Sequence, residues 1–272
     1  MTVAVPSTPR WALVTGAAQR LGREIALTLA RQGWHVAVHY HRSADAAQST
    51  VAELRTLGVN AVAVAQALDA PGAADALLAA VRTATGAIPR CVVNNASTFE
   101  PDAGTDVTEE GLLRQLRVNT VLPVLLGRAL WTALDGADAQ AIDAAPGAYS
   151  VVHVLDQKVH NLNPDYFSYT ISKLALERTV ALQAQALAPW VRVCGVSPGL
   201  IYVSGPQSEA NFQRARCVNL LRAPIDPARV AQTVAFLADN PSLNGAVVPV
   251  DNGQHLVPLA RDVMFVVGDD AR

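Results

Sequence analysis

Seven short runs rich in β-branched and apolar residues recur along this chain, and six stretches of helical spacing lie between them. The runs cover 11–16, 34–40, 60–69, 90–96, 148–155, 190–199 and 246–251. The helical stretches cover 23–33, 44–58, 72–84, 108–134, 166–188 and 227–239. Strands that alternate with helices cannot pair as hairpins. Each connection has to cross over the sheet, so the strands come out mostly parallel with helices on both faces. Such a sheet binds ligands at the carboxyl ends of its strands. Half of the 272 residues are hydrophobic, enough to fill the core of one large domain. No linker or internal repeat divides the chain. One domain over 1–272 is expected, with 1–9 as a loose tail and 252–272 as an extension beyond the last strand. The Asp/Ala/Gly-rich stretch from 135 to 148 reads as an exposed loop.

Composition excludes several functions. The net charge is −2 and the basic residues are scattered, which gives no surface for nucleic acid. The amino-terminal segment lacks the apolar core of a signal peptide, and no run of about 20 apolar residues could span a bilayer. A cytoplasmic protein is expected. Cys91, Cys194 and Cys217 have no zinc-like spacing and read as reduced thiols. His153 and His160 lack a third ligand, so no metal is expected.

The first strand runs into TGAAQRLG. Gly16 permits a tight turn at the strand exit, and Gly22 lets backbone approach a pyrophosphate at the following helix. The second strand ends in HYHRS, where an acid would favour NAD. Arg42 instead offers a forked, charge-assisted contact to a 2′-phosphate, with His41 and Ser43 as donors beside it. Arg20 can reach the same region or the pyrophosphate. NADPH is therefore the expected cofactor. Further on, Tyr169 and Lys173 share a helix face at i and i+4. An ammonium beside a phenol is expected to lower its pKa and make an acid–base group.

The ordered set TGxxxxxG, NNA at 94–96, Asn119, YxxxK and SPG at 197–199 resembles the short-chain dehydrogenase/reductase family over about residues 10–255. The resemblance implies a Rossmann-type, doubly wound α/β three-layer sandwich around a seven-stranded, mostly parallel sheet. It implies that Asn119, Tyr169 and Lys173 are catalytic, with Asn119 supporting a proton-relay water. Gly16, Arg20, Leu21, Gly22, Tyr40, His41, Arg42, Ser43, Asp69, Asn95, Ala96, Ser97, Tyr169, Lys173, Pro198 and Gly199 would border the cofactor. The family carries serine thirteen residues before the tyrosine, but this chain has Asp156. TGAAQRLG, HYHRS and NNASTF are similar to segments of the pteridine reductases, in which aspartate takes that place. The resemblance implies a small-molecule pterin substrate such as dihydrobiopterin, dihydromonapterin or dihydrofolate. Arg20, Ser97, Phe99, Asp156 and Tyr169 would contact it. Asp156 would relay a proton together with Tyr169, and Phe99 would stack on the ring. A homotetramer is expected on the same ground, with the apolar piece DVMFVV packed at a subunit interface. The residues leave open a structural role for Asp156, paired with Lys158 or a backbone amide. They also leave open a ketone or quinone reductase, and a non-catalytic NADPH-sensing protein.

Overall fold

The computed structural model describes residues 9–137, 143 and 145–268. The expected amino-terminal tail lies outside the described residues except for Pro9. So do most of the 138–144 part of the expected loop and the last four residues of the extension. In chain order the elements are β1 (Trp11–Val14), α1 (Arg20–Arg31), β2 (His35–Tyr40), α2 (Ala44–Thr56), β3 (Ala61–Ala65) and α3 (Ala73–Thr85). There follow β4 (Cys91–Asn94), α4 (Glu109–Leu116), α5 (Leu122–Asp135), β5 (Tyr149–Val154), α6 (Phe167–Ala186) and β6 (Val191–Pro198). The carboxyl-terminal part supplies α7 (Glu209–Ala215), α8 (Pro227–Asp239), β7 (Val247–Val250) and α9 (Val263–Val266).

The strands form one sheet in the order β3-β2-β1-β4-β5-β6-β7. Every pairing is parallel, as crossover connections require. The period-2 alternation of a strand sorts its residues onto two faces. Val14, Val38, Val93, Val152 and Val196 face the core beneath α1, α2 and α8. Leu13, Ala37, Val92, Val151 and Val193 face the core beneath α3, α5 and α6. On α5 the stripe Leu122, Leu126, Leu130 and Leu134 is buried against the sheet. Each such leucine contributes about 1.5–3 kcal/mol of burial free energy.

Helix starts follow local chemistry. Thr108 caps α4 by accepting from the Gly111 N–H at 3.1 Å, and Asp226 caps α8 just before Pro227. The stretch expected as one helix over 108–134 is helical without a break from Glu109 to Asp135, with a π-helical turn, Arg117–Val121, between α4 and α5. That turn carries Asn119. The first helix starts at Arg20, earlier than its spacing predicts, so the glycine turn feeds into it directly. β3 ends at Ala65 and leaves Asp69 in a loop. No helix among the described residues is long and apolar enough to cross a membrane.

The sequence of strands runs outward from β1 to β3 and then returns to β4 beside β1. The connections on either side of this reversal diverge, which opens a crevice at the carboxyl ends of β1 and β4.

Candidate active site

The glycine turn lies in that crevice. Gly16 has φ +64°, a conformation that glycine adopts without strain. A Cβ on Gly22 would sit 2.2 Å from the Gly16 carbonyl oxygen, so only hydrogen fits there. Two side chains hold the turn in place. Asn95 donates through Nδ2 to the carbonyls of Thr15 and Gly16, at 2.9 and 3.3 Å. Thr15 Oγ1 accepts the N–H groups of Asn95 and Ala96, at 2.9 and 3.0 Å. A third support comes from His39, which sequence reasoning did not single out. Its Nδ1 accepts the Gly16 N–H at 3.0 Å, and its Nε2 then donates to the Gln66 carbonyl at 3.0 Å. Burial pushes the His39 pKa down, which holds the ring in this neutral, one-donor form.

The start of α1 suits an anion. Gln19, at the N-cap, makes no side-chain capping bond, and no acid stands in the first turn. The first N–H groups of the helix are therefore free to meet a pyrophosphate. Gly22 lets the turn close directly onto the start of this helix, and the uncapped helix start above it fits a dinucleotide. At the end of β2, Tyr40 is half-buried while His41 and Arg42 are exposed. Ser43 is the N-cap of α2 without using its side chain as the cap. Asp69 lies further out, and its carbonyl accepts from Arg117 at 3.4 Å. Arg20 adopts φ +53°, an uncommon conformation for a residue with a side chain. Its guanidinium donates to the Val203 carbonyl at 2.6 Å and lies 5.0 Å from the Tyr202 ring centre. It thereby joins the glycine turn to the segment after β6. Pro198 ends β6, and Gly199 is packed too closely against Gln254, Ile225 and Asp251 to carry a side chain.

The candidate catalytic groups converge from β5 and α6. Asp156 follows β5 and is half-buried. Its Oδ1 accepts the Lys158 N–H at 2.9 Å, and its Oδ2 accepts the Tyr169 hydroxyl at 2.8 Å. The Lys158 ammonium turns elsewhere, to Asp262 at 2.9 Å and to Asn163 at 2.8 Å. Asp156 therefore has the backbone partner foreseen for a structural role and also the tyrosine. Lys173 donates from Nζ to the Val154 carbonyl at 2.8 Å, and its ammonium lies 5.7 Å from the Tyr169 ring centre.

The electrostatics correct one expectation. Tyr169 does not have its pKa lowered by Lys173. Burial and the Asp156 carboxylate raise it well above the usual phenol value. Burial also raises Asp156, and burial brings Lys173 down to about 8. Desolvation thus outweighs the ammonium, and both acids of the pair favour holding a proton.

Asn119 ties the β4 loop to α6. Its Oδ1 accepts the Thr98 N–H at 2.8 Å and the Ser97 hydroxyl at 3.0 Å, and its Nδ2 donates to Ser172 Oγ at 3.0 Å. The π-helical turn aims it there, a frequent use of such turns. Phe99 meets the Tyr169 ring edge-on at 4.7 Å and stacks on Tyr166 at 4.1 Å. Tyr166 is another residue whose importance the structure raises; it is buried, with φ +54° at the start of α6. His153 lies within the sheet, bonded to Asn94 and Gln183.

A cavity of about 290 Å³ opens over these groups. Arg20, Ser97, Phe99, Asp156, Tyr169 and Gly199 all line it. All five residues expected to contact a substrate are thus brought to one space. The adenosine-side candidates His41, Arg42 and Ser43 lie outside that lining.

Comparisons with known proteins agree with this geometry. A family model described as Enoyl-(Acyl carrier protein) reductase matches residues 16–255. Pteridine reductase 1 of Leishmania tarentolae is 32% identical, over 90% of this chain and 96% of its own length. The FolM alternative dihydrofolate reductase 1 of Brucella canis, solved with NADP, has a TM-score of 0.79 and 31% identity. It covers 91% of this chain and 94% of its own. The angucycline C-6 ketoreductase LanV, also solved with NADP, has a TM-score of 0.77 and 30% identity, covering 91% and 96%. With the glycine turn, the YxxxK pair and the parallel sheet all in place, the chain belongs to the short-chain dehydrogenase/reductase family.

Proposed function

We propose that this protein is an NADPH-dependent reductase of pterins. The observation that carries the reading is Asp156 under the Tyr169 hydroxyl at 2.8 Å, on a cavity walled by Phe99. NADPH bound along the glycine turn supplies a hydride. Gly16, Gly22 and the first turn of α1 would hold its pyrophosphate, Arg42 would read its 2′-phosphate, and Pro198 and Gly199 would border its nicotinamide. Lys173, fixed by the Val154 carbonyl, would hold the nicotinamide ribose.

Reducing a ring C=N bond requires a proton at nitrogen. Burial raises the pKa of both Tyr169 and Asp156, and their shared hydrogen bond is the path along which that proton passes. A carboxyl group suits this task better than a serine hydroxyl, because it can both hold a proton and accept from the 2-amino group of a pterin. Phe99 offers its ring to a flat heterocycle, and Ser97 stands beside it. Arg20 reaches both the cofactor phosphates and the ring. The pterin reductases among the relatives support the same reading.

A second reading is a ketone reductase, favoured by the 30% identity to the angucycline ketoreductase. NADPH oxidation separates the two, with dihydrobiopterin, dihydromonapterin, dihydrofolate and several ketones offered to the purified protein. Turnover of pterins and not ketones is expected. Turnover of ketones alone would show that Asp156 is a tolerated replacement for serine and would overturn the proposal.

A further inference from the structure

The carboxyl-terminal extension was expected at a subunit interface. In the structure it packs on the cavity of its own chain. Leu259, Asp262, Val263 and Met264 all line that cavity. Val263 and Met264 are buried, at 6% and 8% exposure.

The segment is fastened at several points. The Lys158 ammonium and the Asp262 carboxylate pair at 2.9 Å, with their side chains only 4% and 15% exposed. Arg261 grips Asp165 through two nitrogens at 2.8 to 2.9 Å, and the Asp262 N–H donates to the same carboxylate at 2.7 Å. Asn211 on α7 donates to the Met264 carbonyl at 2.8 Å. The Tyr166 hydroxyl contacts Met264 Sδ at 2.9 Å, and the Tyr166 ring stacks on Phe265 at 6.3 Å. Because Tyr166 also stacks on Phe99, a continuous row of rings connects the extension to the proposed substrate slot.

Lys158 and Asp165 flank the segment that leads from Asp156 to α6. The extension is therefore anchored to the same segment that carries the proton-relaying carboxylate. A buried ion pair of this kind is costly to break, since one charge is left without its partner. The wall is thus fixed and dense. The cavity is half open to solvent, and its volume of about 290 Å³ sits at the lower edge of small-molecule sites. Part of it has to take the nicotinamide. What remains suits a two-ring heterocycle with a short side chain. The aminobenzoyl-glutamate arm of a folate has to leave the cavity.

We infer that the chain's own carboxyl-terminal segment, through Val263 and Met264 held by the Asp262–Lys158 and Arg261–Asp165 pairs, sets the length of the substrate. Pterins with short side chains are favoured over folates, whose arm has to pass that wall. This rests on the pterin reading above and names the substrate class within it.

The test compares kcat/KM for dihydrobiopterin and dihydrofolate in the full-length protein and in three variants, Met264→Ala, Asp262→Asn and Met264→Leu. The wild type is expected to favour dihydrobiopterin by about tenfold or more, within the range that steric differences in a pocket produce. Met264→Ala and Asp262→Asn shift the ratio toward dihydrofolate by about tenfold, while Met264→Leu keeps the wild-type ratio. Thermal unfolding of each variant separates a displaced wall from a misfolded protein, and Met264→Ala stands by itself if Asp262→Asn does not fold. Equal use of both substrates by the wild type would overturn the inference, as would an unmoved ratio in folded variants. Should the wild type reduce neither pterin but reduce ketones, the proposed function fails separately. A one-ring and a fused three-ring ketone then read the wall in the same variants: the same shift supports it, and no shift removes it.

Discussion

Replacing Asp156 by asparagine keeps the shape of the side chain and removes both its charge and its proton. In the structure this carboxylate accepts from Tyr169 and from the Lys158 N–H, and it touches none of the residues assigned to the adenosine end of the cofactor. If it relays the proton, Asp156→Asn lowers kcat/KM for a pterin by about 10²–10³-fold, the usual worth of a positioned acid–base group. That corresponds to about 2.7–4 kcal/mol at the transition state. Affinity for NADPH, measured by fluorescence titration, should stay as in the wild type. Stability gives an independent readout. The pKa of Asp156 in the folded protein is raised by burial above its ordinary 3.8. Between those two values the folded protein keeps a proton that the unfolded chain has lost. Stability therefore falls as pH rises through that window, and the cost persists above it. Asparagine has no such cost, although its amide can accept only one of the two hydrogen bonds. The melting temperature of Asp156→Asn relative to wild type should accordingly be higher at neutral pH than below pH 3.8. A parallel loss of NADPH binding, or full pterin turnover in the variant, would refute the assignment of Asp156 to proton delivery.

Other perturbations test the cofactor side. Arg42→Ala should raise the Kd for NADPH by about 10- to 100-fold, the worth of a charge-assisted contact of about 1.5–3 kcal/mol, and leave NADH nearly unchanged; titration of both nucleotides checks it. Gly22→Ala forces a Cβ onto the Gly16 carbonyl at 2.2 Å. It should abolish NADPH binding and lower the melting temperature. For Lys173, burial brings the pKa from 10.5 to about 8. The ammonium is lost in the folded protein as pH rises through about 8, so KM for NADPH should climb there. The unfolded chain keeps that proton up to about 10.5, so this residue's contribution to stability rises between the two values. Melting curves of wild type and Lys173→Met across that range show whether the component is present.

Much of this molecule was legible in its sequence because its strongest signals are local. Runs such as WALVTG and WHVAVHY state their own conformation, and parallel pairing follows from the helices between them. That Arg20, Ser97, Phe99, Asp156 and Tyr169 would meet at one cavity was legible because each sits at a fixed offset from a strand end or along one helix face. His39 was not. It reads as one more residue of a strand, and its partners Gly16 and Gln66 lie 23 and 27 positions away. A histidine next to the ligand end of an apolar strand was the only available signal. The docking of the extension was equally hidden, since Asp262 meets Lys158 and Arg261 meets Asp165 across about a hundred residues. DVMFVV announces that it needs cover without saying what supplies it. The direction of the Tyr169 shift was misread for a related reason. Spacing shows that an ammonium is near, but the depth of burial that outweighs it belongs to the assembled core.

The π-helical turn at Asn119 constrains how the chain can change in length. One residue is 100° of α-helix. Deleting a position between Arg117 and Val121 would let α4 and α5 merge into one regular helix. Either Asn119 would swing out of reach of Thr98 and Ser172, or Leu122, Leu126, Leu130 and Leu134 would rotate off the sheet. The anchoring of the site and the packing of the core are thus set by a single residue count. Insertions and deletions tolerated in the surface loops should be forbidden here.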